Sequence, residues 1–197
     1  MLLVITDTAL LVMDLQNEIV DRLGERSEQF LATLAEIVAA ARAAEMPVVF
    51  VRVAFRPGTP EVSSRNQTFS RLAASSGLGE TDTGTQIHPA LAPAPADVIV
   101  TKRRVSAFSG SDLDVVLRSL DVDSLVLTGI ATSGVVLSTL RQAADLDFRL
   151  TVVRDGCADS DPEVHRVLMD KVFPRQAKVV SASEWIEYVQ GATSERA

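Results

Sequence analysis

Four apolar runs of strand length lead directly into reactive or charged side chains. ALLVMD (9–14) ends on Asp14 and continues as Leu15-Gln16-Asn17, and DVIVT (97–101) runs into Lys102-Arg103-Arg104. SLVLTG (124–129) runs into IATSGVVLST, and FRLTVVRD (148–155) is followed by Gly156-Cys157. A carboxylate closing an apolar run is costly unless it is solvated, hydrogen-bonded or paired. If Asp14 met the Lys102 ammonium in one crevice, each would tune the other's pKa and the two would form a proton-handling pair. Spacing alone leaves two plainer readings open: Asp14 caps the next turn, and Lys102 merely follows a strand.

The segment GIATSGVVLST (129–139) has the form of strand, tight turn and helix, where α/β enzymes often seat a catalytic group. Its turn holds no strong nucleophile. Ser133 and Ser138 have no companions resembling a Ser-His-Asp set, and Cys157, the single cysteine, reads as a small buried apolar residue. The backbone amides of residues 132–135, at a helix N-terminus, offer donors to an oxyanion or carboxylate whatever their side chains. Arg103 and Arg104 beside Lys102 form a cationic cluster in an acidic protein. Its functional reading is recognition of an anionic substrate, against a solvated loop or a subunit contact. Arg56 and Arg65 invite the same guess with less force.

The elements that must position these residues alternate along the chain. The runs above, together with PVVFVRV (47–53) and AKVVS (177–181), are continuous rather than alternating, as in strands buried on both faces. Residues 27–45 place Phe30, Leu31, Leu34, Ile37, Val38 and Ala41 on one helical stripe. Ser111 to Asp114 is shaped like a capping box, Asp161-Pro162-Glu163 like a helix start, and Ser183 is expected to open a last helix. Strand and helix in alternation predict a parallel α/β sheet with right-handed crossovers, in which ligands bind beyond the carboxyl ends of the strands. The exception is the Pro-, Gly- and Ser-rich connection 54–96, a long loop excursion expected to carry a helix at Gln67–Ala74. We read residues 1–197 as one domain, with 191–197 as a flexible tail.

Bulk properties narrow the partners. The 197 residues carry a net charge of −7, with 47% hydrophobic and 23% charged residues. That balance suits a globular chain with a small-molecule partner and argues against a nucleic-acid binder or an acidic-membrane binder. The apolar N-terminus lacks a basic region and a cleavage site, and no run reaches the roughly 18 apolar residues of a membrane span. A cytoplasmic location is the expectation. His88 and His165 lack ligand spacing, so neither a metal nor another cofactor is expected.

The ordered motifs ALLVMDLQN, VTKRRVSAF, LVLTGIATSGVVLSTLRQAADL and VVRDGCAD resemble the isochorismatase-like hydrolase superfamily, over roughly residues 8 to 182. The resemblance implies a three-layer α/β/α fold with a six-stranded, mainly parallel sheet, assembled as dimers or tetramers. Most members use an Asp–Lys–Cys triad. By resemblance Asp14 is the acid/base residue and Lys102 the triad lysine. The cysteine's seat, six residues past Gly129, is held by Val135, and Gly134 before it is where a cis peptide bond is expected. The nicotinamidase metal cluster has no counterpart, since VRVAFRPGTPEV contains no histidine. Isochorismatases also lack the cysteine, and they cleave a vinyl ether by protonating the enol carbon.

Together these readings predict a hydrolase acting on a small anionic metabolite by acid/base chemistry at Asp14 and Lys102. Gln16, Arg104, Thr132, Ser133 and Gly134 are the expected substrate-binding residues. The alternative is a non-catalytic member of the family that binds a small molecule or serves as a scaffold.

Overall fold

The computed structural model describes residues 7–74 and 78–194. Its strands are β1 (Thr8–Met13), β2 (Val48–Val53), β3 (Val98–Lys102), β4 (Ser124–Ile130), β5 (Arg149–Ala158) and β6 (Lys178–Val180). All pair in parallel, in the order β3-β2-β1-β4-β5-β6. The continuous apolar runs find their cause here. β1 and β4, at the centre, are buried at every position, because helices cover both faces.

The helices are α1 (Asn17–Asp21), α2 (Ser27–Ala43), α3 (Gln67–Ala74), α4 (Leu113–Ser119), α5 (Leu137–Asp145), α6 (Pro162–Val167) and α7 (Ala182–Ser194). Successive β1 side chains enter opposite layers. Leu10 and Val12 pack with Leu34 and Ile37 of α2 and Trp185 of α7. Leu11 and Met13 pack with Leu117 of α4, Leu140 of α5 and Phe173. The result is the expected three-layer α/β/α sandwich.

Helix starts followed local chemistry unevenly. The Asp161 carboxylate accepts from the Glu163 and Val164 amides at 2.9 and 3.3 Å, capping α6. The cap of α7 is Ser181, two residues before the expected Ser183. Ser181 Oγ accepts from the Glu184 amide at 3.2 Å while the Glu184 carboxylate accepts from the Ser181 amide at 2.7 Å, a reciprocal capping box. Asp114 does not close a box with Ser111; its carboxylate takes Arg118 one turn on, at 2.9 Å. Residues 191–194, expected in a tail, continue α7, and residues 195–197 lie outside the described residues.

The excursion after β2 is tied down rather than loose. Phe55, Phe69 of α3 and Leu78 join Val53 in a small apolar cluster, which seats α3 above the carboxyl ends of β2 and β3. Among the described residues, no helix is long and apolar enough to cross a membrane.

Candidate active site

The strand order reverses at β1 and β4, and that switch point opens a crevice beyond their carboxyl ends. Asp14 stands there, one residue past β1. Its backbone lies in the left-handed region at φ 60°, which aspartate tolerates better than most residues, and its amide donates to the Val51 carbonyl at 2.7 Å. Lys102 ends β3, two strands away from β1. At about 4.8 Å per strand that is a gap of about 10 Å, which only a long side chain can cross. Lys102 Nζ reaches the Asp14 carboxylate at 2.9 Å.

The two ends of this pair are differently occupied. Besides Asp14, Nζ donates to the carbonyls of Arg104 and Val105, both at 3.0 Å, so three acceptors take up the ammonium's three N–H groups. Asp14 Oδ1, in contrast, has no hydrogen-bond partner among the described residues. Both residues are buried, at 6% exposure for Asp14 and 2% for Lys102. Burial pushes the Asp14 carboxyl above the ordinary carboxylate range, and the charge and hydrogen bond of Lys102 only partly offset it.

A cavity of about 270 Å³ lies over the pair. Ile19 and Leu23 form its wall on the α1 side, α3 contributes Phe69 and Leu72, and Ile130 at the end of β4 and Val135 in the turn after it also line it. The 54–96 excursion therefore walls the site of its own chain. Val53, Val105 and Ala131 complete the apolar lining, with Arg22, Thr68 and Ser160 the polar side chains besides the pair.

The turn after β4 is built differently from expectation. The cis peptide bond joins Ile130 to Ala131, not the residues at Gly134. A Cβ on Gly134 would meet only Ala131 Cβ at 3.8 Å, so that position has no steric need for glycine. Gly129 does. Its φ is +147°, and a Cβ there would stand 2.4 Å from the Met13 carbonyl oxygen, which would push β4 away from β1 just below Asp14.

The other expected binding residues divide. Gly134 and Val135 line the cavity. Gln16 does not: Nε2 donates to the carbonyls of Val53 and Thr85 at 2.9 and 3.0 Å, and Oε1 accepts from the Val53 amide at 2.8 Å. Its amide is used up stitching β1, β2 and the excursion together. Arg104 lies over the Phe69 ring, 5.6 Å from its centroid, and donates to the carbonyls of Arg103 and Glu61. It faces a separate open groove with Arg56 and Arg103. Thr132 Oγ1 pairs with His165 Nδ1 at 2.8 Å, and the Ser133 amide donates to the Asp159 carboxylate at 2.7 Å. The Gly134 amide donates to the Ala131 carbonyl at 3.1 Å. Two of the amides expected to cradle an oxyanion are thus already engaged.

Asp159 and His165, which hold the turn from behind, were not assigned to the site from sequence. Asp159 sits four residues beyond Asp155 in an acidic stretch that reads as solvated surface, and only the fold brings it to Ser133. Burial pushes the Asp159 carboxyl up, but amides led by that of Ser133 hold it below its usual value. Burial chiefly lowers the His165 pKa. Cys157 opens on a second cavity beside Asp159 and His165, its thiol 3.8 Å from the Leu127 carbonyl, and burial raises its pKa strongly. Among the described residues, no group of three His, Cys, Asp or Glu side chains is arranged to hold a metal ion.

A doubly wound parallel sheet with a buried acid–lysine pair in a cavity at its switch point defines an α/β enzyme of small molecules. Residues 8–184 match the isochorismatase domain. The chain belongs to the isochorismatase family and is one of its hydrolases. It is 33% identical over 180 residues to the isochorismatase family protein YecD of Escherichia coli O157:H7, covering 90% of this chain and 93% of that one. Ureidoacrylate amidohydrolase RutB of Stutzerimonas stutzeri is 32% identical over 179 residues, covering 80% and 72%. The solved structure of an isochorismatase family protein from Burkholderia thailandensis superposes with a TM-score of 0.80 at 30% identity, covering 93% of this chain and 96% of that chain.

Proposed function

We propose that this hydrolase works by proton transfer at Asp14, without a cysteine nucleophile, on a small molecule held in the cavity above the Asp14–Lys102 pair. The observation that carries this reading is the unpartnered Oδ1 of a buried carboxyl whose pKa is raised. A carboxyl in that condition holds a proton to higher pH than a solvated one and can deliver it to substrate.

The reaction this supports best is hydrolysis of an enol ether. The Asp14 proton passes to the terminal carbon of the C=C bond, whose electron pair forms the new C–H bond and leaves an oxocarbenium ion. Water adds to the cationic carbon and its proton goes to the Asp14 carboxylate. The hemiketal then collapses to a ketone and an alcohol, so that one water is consumed and Asp14 is restored. Lys102 is a positioning residue. Its three N–H groups are committed, and its charge fixes the carboxyl's orientation and moderates its pKa.

RutB is named an amidohydrolase, and amide cleavage through an acyl-enzyme needs a nucleophile at the reacting carbonyl. Val135 offers none there, and Cys157 opens on the other cavity. The test is a screen of simple enol ethers and small amides with wild type, Asp14→Asn and Cys157→Ala. Enol ether turnover lost in Asp14→Asn and retained in Cys157→Ala is expected. Activity untouched by Asp14→Asn, or abolished in a folded Cys157→Ala, refutes the reading, and binding without turnover of any compound favours the non-catalytic alternative.

A further inference from the structure

We infer that the ligand of this cavity is an uncharged small molecule with an apolar body, not the anionic metabolite that the neighbouring arginines suggest. The inference rests on the reading of the cavity as the reaction site and adds the charge class of what enters it. It stands on where each cation of this region spends its charge.

The cationic cluster is turned away from the cavity, and two of its arginines are paired with carboxylates while Arg104 donates to carbonyls and lies over Phe69. Arg56 pairs with Glu61 at 2.7 Å, and Arg103 pairs with Glu61 at 3.5 Å and with Glu80. These arginines and Arg104 line the open groove beside β3, and none lines the cavity over Asp14. Within the cavity the charged side chains are Asp14, Lys102 and Arg22. Lys102 has three acceptors already. Arg22 sits at the rim, 58% exposed, with its guanidinium on Glu18 at 2.8 Å.

A ligand carboxylate would therefore have only the hydroxyls of Thr68 and Ser160 and the exposed Arg22 to meet it, with no free buried cation among the described residues to receive it. Burying an ion without a partner is expensive. A dianion would need two such partners. An apolar ring or chain, in contrast, matches Ile19, Phe69, Val105 and Val135, and one carbonyl or ether oxygen suffices to meet Asp14. The volume of about 270 Å³ falls just below that of sites for drug-sized ligands, which keeps the molecule small.

The test uses the full chain and three probes of one scaffold: acetophenone, benzoate and phthalate, uncharged, singly and doubly charged. Binding is read by calorimetry and by ligand-observed NMR in wild type and Asp14→Asn, so that affinity is measured apart from turnover. Acetophenone is expected to bind about tenfold or more tightly than benzoate, the cost of about 1.4 kcal/mol for one poorly paired charge, with phthalate weaker still. Ile19→Lys, which adds a cation to the wall, is expected to reverse the preference for acetophenone over benzoate. The inference is overturned if benzoate or phthalate binds more tightly to wild type, if Arg22→Gln costs more than about tenfold in the affinity for acetophenone, or if none of the probes binds. The acid/base reading fails separately, through enol ether turnover that survives Asp14→Asn while the charge preference persists.

Discussion

Replacing Lys102 by methionine separates the charge of the buried pair from its volume. In the ionised form of the pair, at the observed 2.9 Å and with an effective dielectric of about 20, the two charges attract by about 6 kcal/mol; the protonated form that the reaction uses forgoes that attraction and keeps the contact with the lysine. Most of that attraction offsets the cost of taking both ions out of water. Removing one partner leaves the other buried and uncompensated, which costs about 3–5 kcal/mol. Lys102→Met is expected to lose that much at neutral pH, including the donors lost by the Arg104 and Val105 carbonyls. The loss must also depend on pH. Without the lysine the factor that opposes burial is gone, so the native pKa of Asp14 rises further above its ordinary 3.8. Between the unfolded and native values the native state binds more protons than the unfolded state. Stability therefore falls as pH rises through that window, by up to about 1.4 kcal/mol per pH unit. Urea unfolding of wild type and Lys102→Met across about pH 4 to 8 measures both quantities. Adding Asp14→Asn removes the stranded charge and is expected to recover part of the loss and flatten the slope. A deficit under about 1 kcal/mol at neutral pH, the range of an exposed pair, or a deficit independent of pH, would show that Asp14 and Lys102 do not form a buried ion pair.

Gly129→Ala is expected to lower stability by about 3 kcal/mol or more, because its Cβ would lie 2.4 Å from the Met13 carbonyl oxygen at a φ that alanine resists; thermal unfolding checks this, and Gly134→Ala, with a nearest contact of 3.8 Å, is the control expected to be nearly neutral. Asp159→Ala leaves the Ser133 amide without its acceptor and is expected to cost about 1.5–3 kcal/mol. Because the native pKa of Asp159 is lowered, its contribution is present above the unfolded carboxyl pKa and disappears as pH falls through the native one, so wild type and variant should converge in acid. Cys157, buried and with its pKa raised, is expected to stay inert to Ellman's reagent in the folded protein and to react at once in denaturant. Rapid labelling of the native state would contradict its placement against Leu127.

Much of the fold was legible because its signals are local. Continuous apolar runs such as ALLVMD and SLVLTG mark strands covered on both faces, and Asp14 and Lys102 stand out because a charge ending such a run needs a partner. Asp161 could be read as a cap because its acceptor and its donors are two and three residues apart. The last helix was misplaced by two residues because Ser181 and Ser183 both suit a start, and only the contact with Glu184 chooses between them.

Sequence alone thus determined the layers, the places of the strands and the residue types available for chemistry, although β5 runs on through Cys157 to Ala158 instead of ending at Asp155. Tertiary structure decided which of them meet. Lys102 reaches Asp14 because β2 lies between β3 and β1 and a lysine is long enough to cross it. Gln16 is lost to the site because Val53 and Thr85, 37 and 69 residues away, take its amide, and Arg103 is lost because Glu61 and Glu80 of the excursion take its charge. The turn shows the same division. GIATSGVV announces a tight bend wherever it occurs, but the need for glycine at 129 comes from the neighbouring Met13 carbonyl, and the seat of Val135 becomes a cavity wall only when α3 folds over it. Partners so distant in the chain leave no trace in local spacing, so the chemistry of a charged or polar side chain here was decided by what the fold put opposite it.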